Sequence, residues 1–242
     1  MIAIVTGSSR GIGKACALKL AQEGYDIAIV YRKGDSEAAE VEKSVKDMGR
    51  RAVCIKADVA NANEVKSMVE SVCSTLGIPD LLVNNAGIVD DKYLLMLDED
   101  SLDRSLDVNI KGYFHCAQSV ALKMMRNRHG CIINMSSVSS VMALAGQSVY
   151  SATKGAVNSM TATLAKELSR YGIRVNAVAP GFIETEMLDH IPEDKKKEYL
   201  KSIPLGRLGT ADDVANLVCA LASDNLSYVT GQTIILDGGL SL

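Results

Sequence analysis

Tyr150 and Lys154 lie four positions apart within residues 150–168, where apolar residues recur with helical spacing. Side chains four positions apart share one face of a helix, so the phenol and the ammonium are expected to be neighbours. A nearby ammonium lowers the pKa of a phenol and lets tyrosine act as a general acid or base. Ser137 ends a strand-like run and offers a hydroxyl that orients a substrate oxygen against Tyr150. The three residues predict a proton-transfer site, although an ordinary solvated pair on a helix has the same Tyr-to-Lys spacing.

The elements that position these residues alternate regularly. Short β-branched runs are separated by helical patterns of about a dozen residues or more, which predicts a parallel sheet with helices on both faces. The fold class expected is α/β, a single Rossmann-type domain over residues 1–242 with a doubly wound, seven-stranded parallel sheet. The predicted strands are Ile2 to Thr6, Ile27 to Tyr31, Ala52 to Ala57, Leu81 to Asn84, Ile132 to Met135, Arg174 to Ala179 and Thr233 to Leu236.

Composition excludes several classes of protein. The 242 residues are 48% hydrophobic and 23% charged with a net charge of −3, so nucleic acid is not an expected partner. The six cysteines have no Cys-x-x-Cys spacing and mostly lie in apolar runs, which indicates core residues in a reducing compartment and no metal site. With no secretory signal and no run long enough to span a membrane, the sequence predicts a cytoplasmic protein.

A glycine-rich turn, Thr6-Gly-Ser-Ser-Arg-Gly-Ile-Gly13, follows the first predicted strand and leads into a helical pattern. Its glycines, at 7, 11 and 13, let the backbone approach a pyrophosphate that sits at the positive end of the helix. The turn therefore predicts a dinucleotide site, with a plain strand-to-helix turn as the alternative. The spacing is Gly-x-x-x-Gly-x-Gly and differs from the standard dinucleotide fingerprint.

Arg32 and Lys33 stand at the end of the second strand, where an NAD enzyme usually places an acidic residue for the ribose hydroxyls. Together with Arg10 in the glycine turn, this favours the 2′-phosphate of NADP. Two basic residues that simply end a strand in solvent would give the same sequence pattern. Asp58 closes the third strand and is predicted to accept from an adenine amino group, although it also suits a turn.

The fourth strand ends in Asn84-Asn-Ala-Gly87, whose small residues allow a flat ligand to approach the backbone. Asn85 and Gly87 are the predicted contacts, and a tight turn is the simpler explanation. Farther along, residues 186–203 interrupt the alternation with apolar residues and a charged run. This pattern predicts a lid over the substrate or, alternatively, an amphipathic surface hairpin.

These motifs, with Asn109 and Pro180-Gly181, resemble the short-chain dehydrogenase/reductase family in order and over essentially the whole chain. The resemblance implies that Tyr150 is the acid/base and that Lys154 is its electrostatic partner and a ribose ligand. It further implies that Ser137 clamps the carbonyl and that Asn109 supports a water in the proton relay. Hydride would pass from NADPH to a ketone carbon.

The glycine turn and the resemblance together predict a set of residues that bind NADP or NADPH. They are Gly7, Ser9, Arg10, Gly11, Ile12, Gly13, Tyr31, Arg32, Asp58, Val59, Asn85, Ala86, Gly87, Tyr150, Lys154, Pro180, Gly181, Ile183 and Thr185.

Within the family, the segments beginning at Pro180, Pro204 and Thr230 are most similar to reductases of 3-oxoacyl groups on acyl-carrier protein, in fatty-acid or polyketide biosynthesis. Arg126 and Arg128 then form a basic rim for an acidic carrier. The family's second basic docking position, just before Gly172, is Tyr171 here, with Arg170 displaced by one residue. The resemblance also implies a homotetramer.

The substrate stays open among a carrier-bound 3-oxoacyl group, a polyketide or polyene intermediate, a free β-ketoester, and a sugar or other small ketone. Two further classes are an alcohol dehydrogenase acting oxidatively with NAD and a non-catalytic NADP-binding scaffold. Arg10 and Arg32 favour NADP over NAD. The complete set of Asn109, Ser137, Tyr150 and Lys154 favours an enzyme over a scaffold.

Overall fold

The strands form a seven-stranded, fully parallel sheet and a separate two-stranded ribbon. The computed structural model describes residues 1–185 and 200–242. The order in the main sheet is β3-β2-β1-β4-β5-β6-β9, and β7 pairs with β8. The strands are β1 (Ile2–Thr6), β2 (Asp26–Tyr31), β3 (Ala52–Lys56), β4 (Leu81–Asn84), β5 (Gly130–Met135), β6 (Ile173–Pro180), β7 (Ile183–Glu184), β8 (Gly209–Thr210) and β9 (Thr233–Leu236).

Helices cover both faces of this sheet. Leu20 and Val218 belong to the core on one face, and Met68 and Met124 belong to the core on the other. The helices are α1 (Gly11–Gln22), α2 (Asp35–Asp47), α3 (Ala62–Thr75), α4 (Glu99–Leu106), α5 (Gly112–Asn127), α6 (Ser148–Leu168) and α7 (Ala211–Ala222). The predicted fold class, a doubly wound α/β fold, is confirmed.

The two cores explain why the strands read as continuous apolar runs. Ile4 and Val5 are successive residues of β1, they belong to opposite cores, and both are fully buried. Because a parallel strand is buried on both faces, neither face of it requires polar residues. Each predicted strand accordingly coincides with a strand of the sheet.

The order of strands reverses beside β1. The chain runs outward from β1 through β2 to β3, and β4 then returns to the other side of β1. In open parallel sheets, ligands bind in the crevice beyond the carboxyl ends of the strands at such a reversal. The glycine turn after β1 and the small-residue segment after β4 both begin at this crevice.

The predicted helical pattern from Glu99 to Met125 contains a wider turn. A π-helical segment, Asp107–Lys111, separates α4 from α5. Such single π turns accommodate an inserted residue and occur frequently at functional sites. Here the segment contains Asn109, whose side chain bonds outside the helix, as described below.

Residues 186–199 of the predicted lid lie outside the described residues. At its carboxyl-terminal end, Ile203 is 4% exposed and packs with Val138 and Leu240. All six cysteines are free. Within the described ranges, no helix is both long enough and apolar enough to cross a membrane.

Thr6 joins the end of β1 to the end of β4. Its Oγ1 accepts the backbone N–H groups of Asn85 at 2.9 Å and Ala86 at 3.0 Å, and it donates to the carbonyl of Val83 at 3.3 Å. The side chain is 1% exposed, so water does not replace these bonds. One hydroxyl therefore fixes the glycine turn against the segment after β4.

Replacing Thr6 by valine should destabilise the fold by about 2–4 kcal/mol, because two backbone donors lose their acceptor in a buried place. Urea unfolding followed by circular dichroism measures this loss. Thr163→Val is the matched control: this exposed hydroxyl bonds only the carbonyl of Ser159, one turn back, and should cost about 0.5 kcal/mol or less. Equal losses in the two variants would contradict the assigned role of Thr6.

Candidate active site

Lys154 lies at the centre of a buried polar cluster beyond the end of β5. Its side chain is 3% exposed, and Nζ donates to the carbonyl of Met135 at 2.8 Å and to the hydroxyl of Tyr113 at 3.3 Å. Nζ also lies 5.6 Å from the ring centroid of Tyr150. The half-buried Tyr150 lies near Ser137, whose hydroxyl favours the phenolate form of the tyrosine. The structure thus brings the three residues of the predicted proton-transfer site together.

Burial dominates the acidity of this cluster. It raises the pKa of Tyr150 to about 12, with the hydrogen bond to Ser137 opposing and the charge of Asp91 adding to the increase. Burial lowers the pKa of Lys154 to about 7. The expectation of a lowered tyrosine pKa is therefore wrong for this structure, because desolvation is the dominant effect on the phenol. Tyr150 remains a phenol, the form that donates a proton.

Asn109 connects the π-helical segment to the segment after β4. It is fully buried, its Oδ1 accepts the N–H of Ile88 at 2.9 Å, and its Nδ2 donates to the carbonyl of Ile88 at 2.9 Å and to Thr153 Oγ1 at 3.3 Å. A Cβ added to Gly87 would lie 3.2 Å from Asn109 Oδ1 and 3.7 Å from Lys154 Nζ. Asn109 and Gly87 therefore border the cluster, while the predicted relay water remains a prediction.

The glycine turn forms a closely packed cradle. A Cβ on Gly13 would lie 2.2 Å from the carbonyl oxygen of Gly7 and 2.6 Å from Asn85 Nδ2, so only glycine fits. Gly7 and Gly11 have positive φ, at 65° and 55°. Asn85 donates through Nδ2 to the carbonyls of Thr6 at 2.9 Å and Gly7 at 3.2 Å. Its side chain therefore holds the turn in place.

Helix α1 starts directly after this turn. Arg10 is its N-cap residue and makes no side-chain capping bond, so the first backbone N–H groups are not capped in that way. Such a helix start binds phosphate through free N–H groups and the helix dipole. Ile12 packs toward the core, and Ser9 Oγ donates to the carbonyl of Lys33 at 3.3 Å. The second of these contacts ties the turn to the end of β2.

Residues at the ends of β2 and β3 form the expected adenosine side. Arg32 Nη1 and Asp58 Oδ2 are 3.2 Å apart, and Tyr31 donates to Asp35 at 3.2 Å. The structure therefore pairs the cation predicted for the 2′-phosphate with the carboxylate predicted for adenine. Val59 is buried, and its carbonyl lies 3.1 Å from His115 Nδ1.

Pro180, Gly181, Ile183 and Thr185 form the opposite wall, from the end of β6 into β7. The methyl group of Thr185 would lie 3.9 Å from a Cβ on Gly11, which places this wall next to the glycine turn. Ile183 is 6% exposed and belongs to the core. Ala86 donates its backbone N–H to Thr6 Oγ1 at 3.0 Å, on the other side of the turn.

The predicted cofactor residues fit a dinucleotide. A cradle that only glycine can line, an uncapped helix start and basic residues at the ribose end suit a pyrophosphate and a phosphorylated ribose. The crevice continues toward Lys154, past Gly87. A pocket of about 590 Å³ lies mainly along residues 139–151 and is lined by Tyr93, Leu94, Ser139, Ser140, Val141, Met142, Ala143, Leu144, Ala145, Gly146, Ser148 and Ser151.

Two residues of this region were missed by the sequence analysis. Thr6 is the first residue of the glycine turn but was not assigned a role, and Tyr113 lies four positions after Asn109 on the same helical path. Those positions are the only sequence signal that either residue offers. Their partners, Asn85 and Lys154, are 79 and 41 positions away.

The fold is Rossmann-like, and it brings together the residues predicted to bind a dinucleotide and the predicted Ser-Tyr-Lys set. Residues 7–241 match the family model described as Enoyl-(Acyl carrier protein) reductase. The chain belongs to the short-chain dehydrogenase/reductase family and is an oxidoreductase.

Relatives cover nearly the whole chain. The 3-oxoacyl-[acyl-carrier-protein] reductase FabG of Staphylococcus epidermidis is 46% identical over 98% of both chains. FabG of Thermotoga maritima is 42% identical over 99% of this chain and 97% of its own. The crystal structure of 3-oxoacyl-[acyl-carrier protein] reductase from Brucella melitensis matches with a TM-score of 0.94 at 33% identity, covering 100% of this chain and 91% of that one.

Lys154→Met should change the pH dependence of stability. The pKa of Lys154 falls from 10.5 to about 7 on folding, so the unfolded chain binds more protons between these values. The free energy of unfolding of the wild type, minus that of the variant, should therefore rise by roughly 2–4 kcal/mol from pH 7 to pH 9.5. Urea unfolding at a series of pH values measures the difference. Lys166→Met, at an exposed position of the same helix, is the control. If the stability difference from wild type does not change with pH in either variant, burial of the Lys154 ammonium is contradicted.

Proposed function

We propose that this protein reduces the ketone of a 3-oxoacyl group carried on acyl-carrier protein, with NADPH as reductant, in cytoplasmic fatty-acid biosynthesis. The observation that carries the proposal is the grouping of Ser137, Tyr150 and the buried Lys154 beside a crevice that suits a dinucleotide. The names of the FabG relatives, which align over nearly the whole chain, supply the substrate class.

The chain's own residues account for the proton side of the reaction. Ser137 and Tyr150 lie near each other and, in this proposal, present two hydroxyls to one carbonyl oxygen. Tyr150 remains protonated and gives its proton to that oxygen as negative charge develops there. The ammonium of Lys154 favours the phenolate that is left. NADPH supplies the hydride when it is bound.

The pocket beside the cluster suits an acyl chain. Leu94, Val141 and Met142 line it, and Leu94 is 72% exposed. Burying such apolar side chains against an alkyl chain removes both from water and contributes about 25 cal/mol per Å². Ser148 and Ser151, which precede and follow Tyr150 on α6, line the same pocket, and the proposal places the reacting end of the chain toward Tyr150.

A carrier docks, in this proposal, on the basic rim after α5. Arg128 Nη2 donates to the backbone carbonyl of Arg170 at 2.8 Å, and the guanidinium of Arg170 lies 4.7 Å from the ring centroid of Tyr171. The displacement of the second basic residue to position 170 therefore still leaves two arginines next to each other. Arg126 is exposed at the end of α5 and adds positive charge for an acidic partner.

The homotetramer is also part of the proposal. Phe114 and Leu122 on α5 are 47% and 60% exposed, and Ala152 and Ser159 on α6 are exposed small residues. Large apolar side chains and small ones on adjacent helices suit close packing against a second copy.

The decisive experiment follows loss of NADPH absorbance with an acetoacetyl group on acyl-carrier protein, on coenzyme A and as a simple ester, and with a 2-enoyl group on the carrier. Preferred turnover of the carrier-bound ketone is expected. Turnover of the free ester alone would replace the proposal with a small-ketone reductase. Turnover of the enoyl group alone would make the protein an enoyl reductase, and binding of NADPH without any turnover would favour a scaffold.

Two variants test the residues in that assay. Tyr150→Phe should lower kcat by roughly 100- to 10,000-fold while NADPH still binds, because the phenolic proton is lost. Arg128→Glu should raise KM for the carrier-bound ketone by about tenfold and leave the coenzyme A substrate unchanged. Unchanged turnover in the first variant would reject the proton donor, and equal effects on both substrates in the second would reject the docking rim.

Arg32→Ala should raise KM for NADPH by about 10- to 100-fold with little change for NADH, because one charged hydrogen bond to the 2′-phosphate is lost. Steady-state kinetics with the two cofactors measures the ratio, and NADH is the internal control. Asp58→Asn should instead lower the KM for NADPH, because it removes the carboxylate that lies 3.2 Å from Arg32 in this structure. An unchanged NADPH constant in Arg32→Ala would remove the basis for the cofactor preference.

A further inference from the structure

Tyr113 is a buried tyrosine on the first turn of α5 and has no part in the proton-transfer set described above. Its side chain is 1% exposed, and its ring packs with Val157 and Met160 of α6. The hydroxyl donates to the carbonyl of Met135 at 2.9 Å and accepts from Lys154 Nζ at 3.3 Å. Nζ also lies 5.1 Å from the centroid of the Tyr113 ring.

The arrangement forms a closed triangle of hydrogen bonds. Tyr113 and Lys154 both donate to the carbonyl of Met135, the last residue of β5, and they bond each other. A carbonyl oxygen has two lone pairs, and these two donors use both. The position of the ammonium is therefore determined by one residue from each of α5, β5 and α6.

An ammonium has three donors and is costly to bury without acceptors. The hydroxyl of Tyr113 is the side-chain acceptor that the described residues offer to Nζ, beside the main-chain carbonyl. The other titratable groups facing this cluster are the phenol of Tyr150, on α6, and the carboxylate of Asp91, on the segment after β4, which acts on Tyr150. The buried thiol of Cys116, on α5, acts on Tyr113. The hydroxyl thus favours the charged form of Lys154 where burial disfavours it.

We propose that Tyr113 is a positioning residue whose hydroxyl keeps the Lys154 ammonium charged and in place, and so sets the pH range in which Tyr150 transfers its proton. The inference rests on the proposed function for its catalytic consequence. Its electrostatic part concerns Lys154 alone and is independent of any substrate.

A purely structural role for Tyr113 makes a different prediction. If the hydroxyl only fixes the end of β5, its loss lowers stability and leaves the titration of Lys154 unchanged. If it also supports the ammonium, its loss disfavours the charged lysine, and the weaker positive charge then raises the pKa of Tyr150. The two roles are therefore separated by titration and not by stability.

The test compares wild type with Tyr113→Phe, which keeps the ring and removes the hydroxyl. Protein labelled with ¹⁵N at lysine Nζ is titrated by nuclear magnetic resonance, and the Lys154 signal is assigned by its loss in Lys154→Arg. The pKa of Lys154 should fall by about 1 unit in Tyr113→Phe. In the oxidation of a 3-hydroxyacyl substrate with NADP⁺, the pH of half-maximal kcat should rise by about 1 unit, because oxidation needs the Tyr150 phenolate.

Tyr25→Phe is the matched control. Tyr25 is 7% exposed and lies before β2, at the opposite end of the strands, so it loses the same hydroxyl without touching Lys154. This variant should titrate like wild type in both measurements. Tyr113→Met provides a second variant that lacks the hydroxyl, should Tyr113→Phe not fold, and it carries the same expectation.

The outcomes separate this inference from the proposed function. An unchanged Lys154 titration in the Tyr113 variants, or an equal shift in Tyr25→Phe, would overturn the positioning role even in an active enzyme. Wild-type protein that turns over no 3-oxoacyl substrate would overturn the proposed function, while the Lys154 titration would still decide the role of Tyr113. A lowered Lys154 pKa and a raised half-maximal pH together support both.

Discussion

The burial of one ammonium group is the constraint on which the rest of the site depends. A charge taken out of water needs acceptors, and Lys154 obtains them from Met135 and Tyr113. Those two contacts require β5, α5 and α6 to meet within hydrogen-bond distance of one point. The packing of Tyr113 against Val157 and Met160 supports the same meeting point through apolar contact. Catalytic geometry and core packing are therefore set by the same side chains.

The segment after β4 connects this cluster to the nucleotide crevice. The side chain of Asn85 binds backbone carbonyls of the glycine turn, while Gly87 lies beside Asn109 and Lys154. Thr6 anchors the start of the segment, and the two bonds between Asn109 and Ile88 anchor its end. Both ends of the segment are thus fixed by side chains that accept or donate to backbone groups. Displacing it would disturb the cradle and the proton donor together.

The parts of this structure that local sequence determines could be predicted, and the parts that depend on distant contacts could not. Residues 27–31 belong to a strand that is buried on both faces, and the uninterrupted apolar run in the sequence indicates such a strand. Tyr150 and Lys154 share a helix face because of their spacing alone. The π turn at Asn109 has no local signal, since it depends on a bond to Ile88, 21 positions away. The contact between Arg128 and Arg170 likewise joins residues 42 positions apart.

Burial acts in opposite directions on the two groups of the proton donor. It raises the pKa of Tyr150 to about 12 and lowers that of Lys154 to about 7, because removal of water disfavours the charged form of each group. The phenol therefore keeps its proton at neutral pH, and burial brings the pKa of the lysine down toward neutral pH. A site in this condition is suited to give a proton only when negative charge appears on a bound oxygen. Small changes in the acceptors of Lys154 then have large effects, since a group titrating near neutral pH is the one whose charge a single hydrogen bond can change.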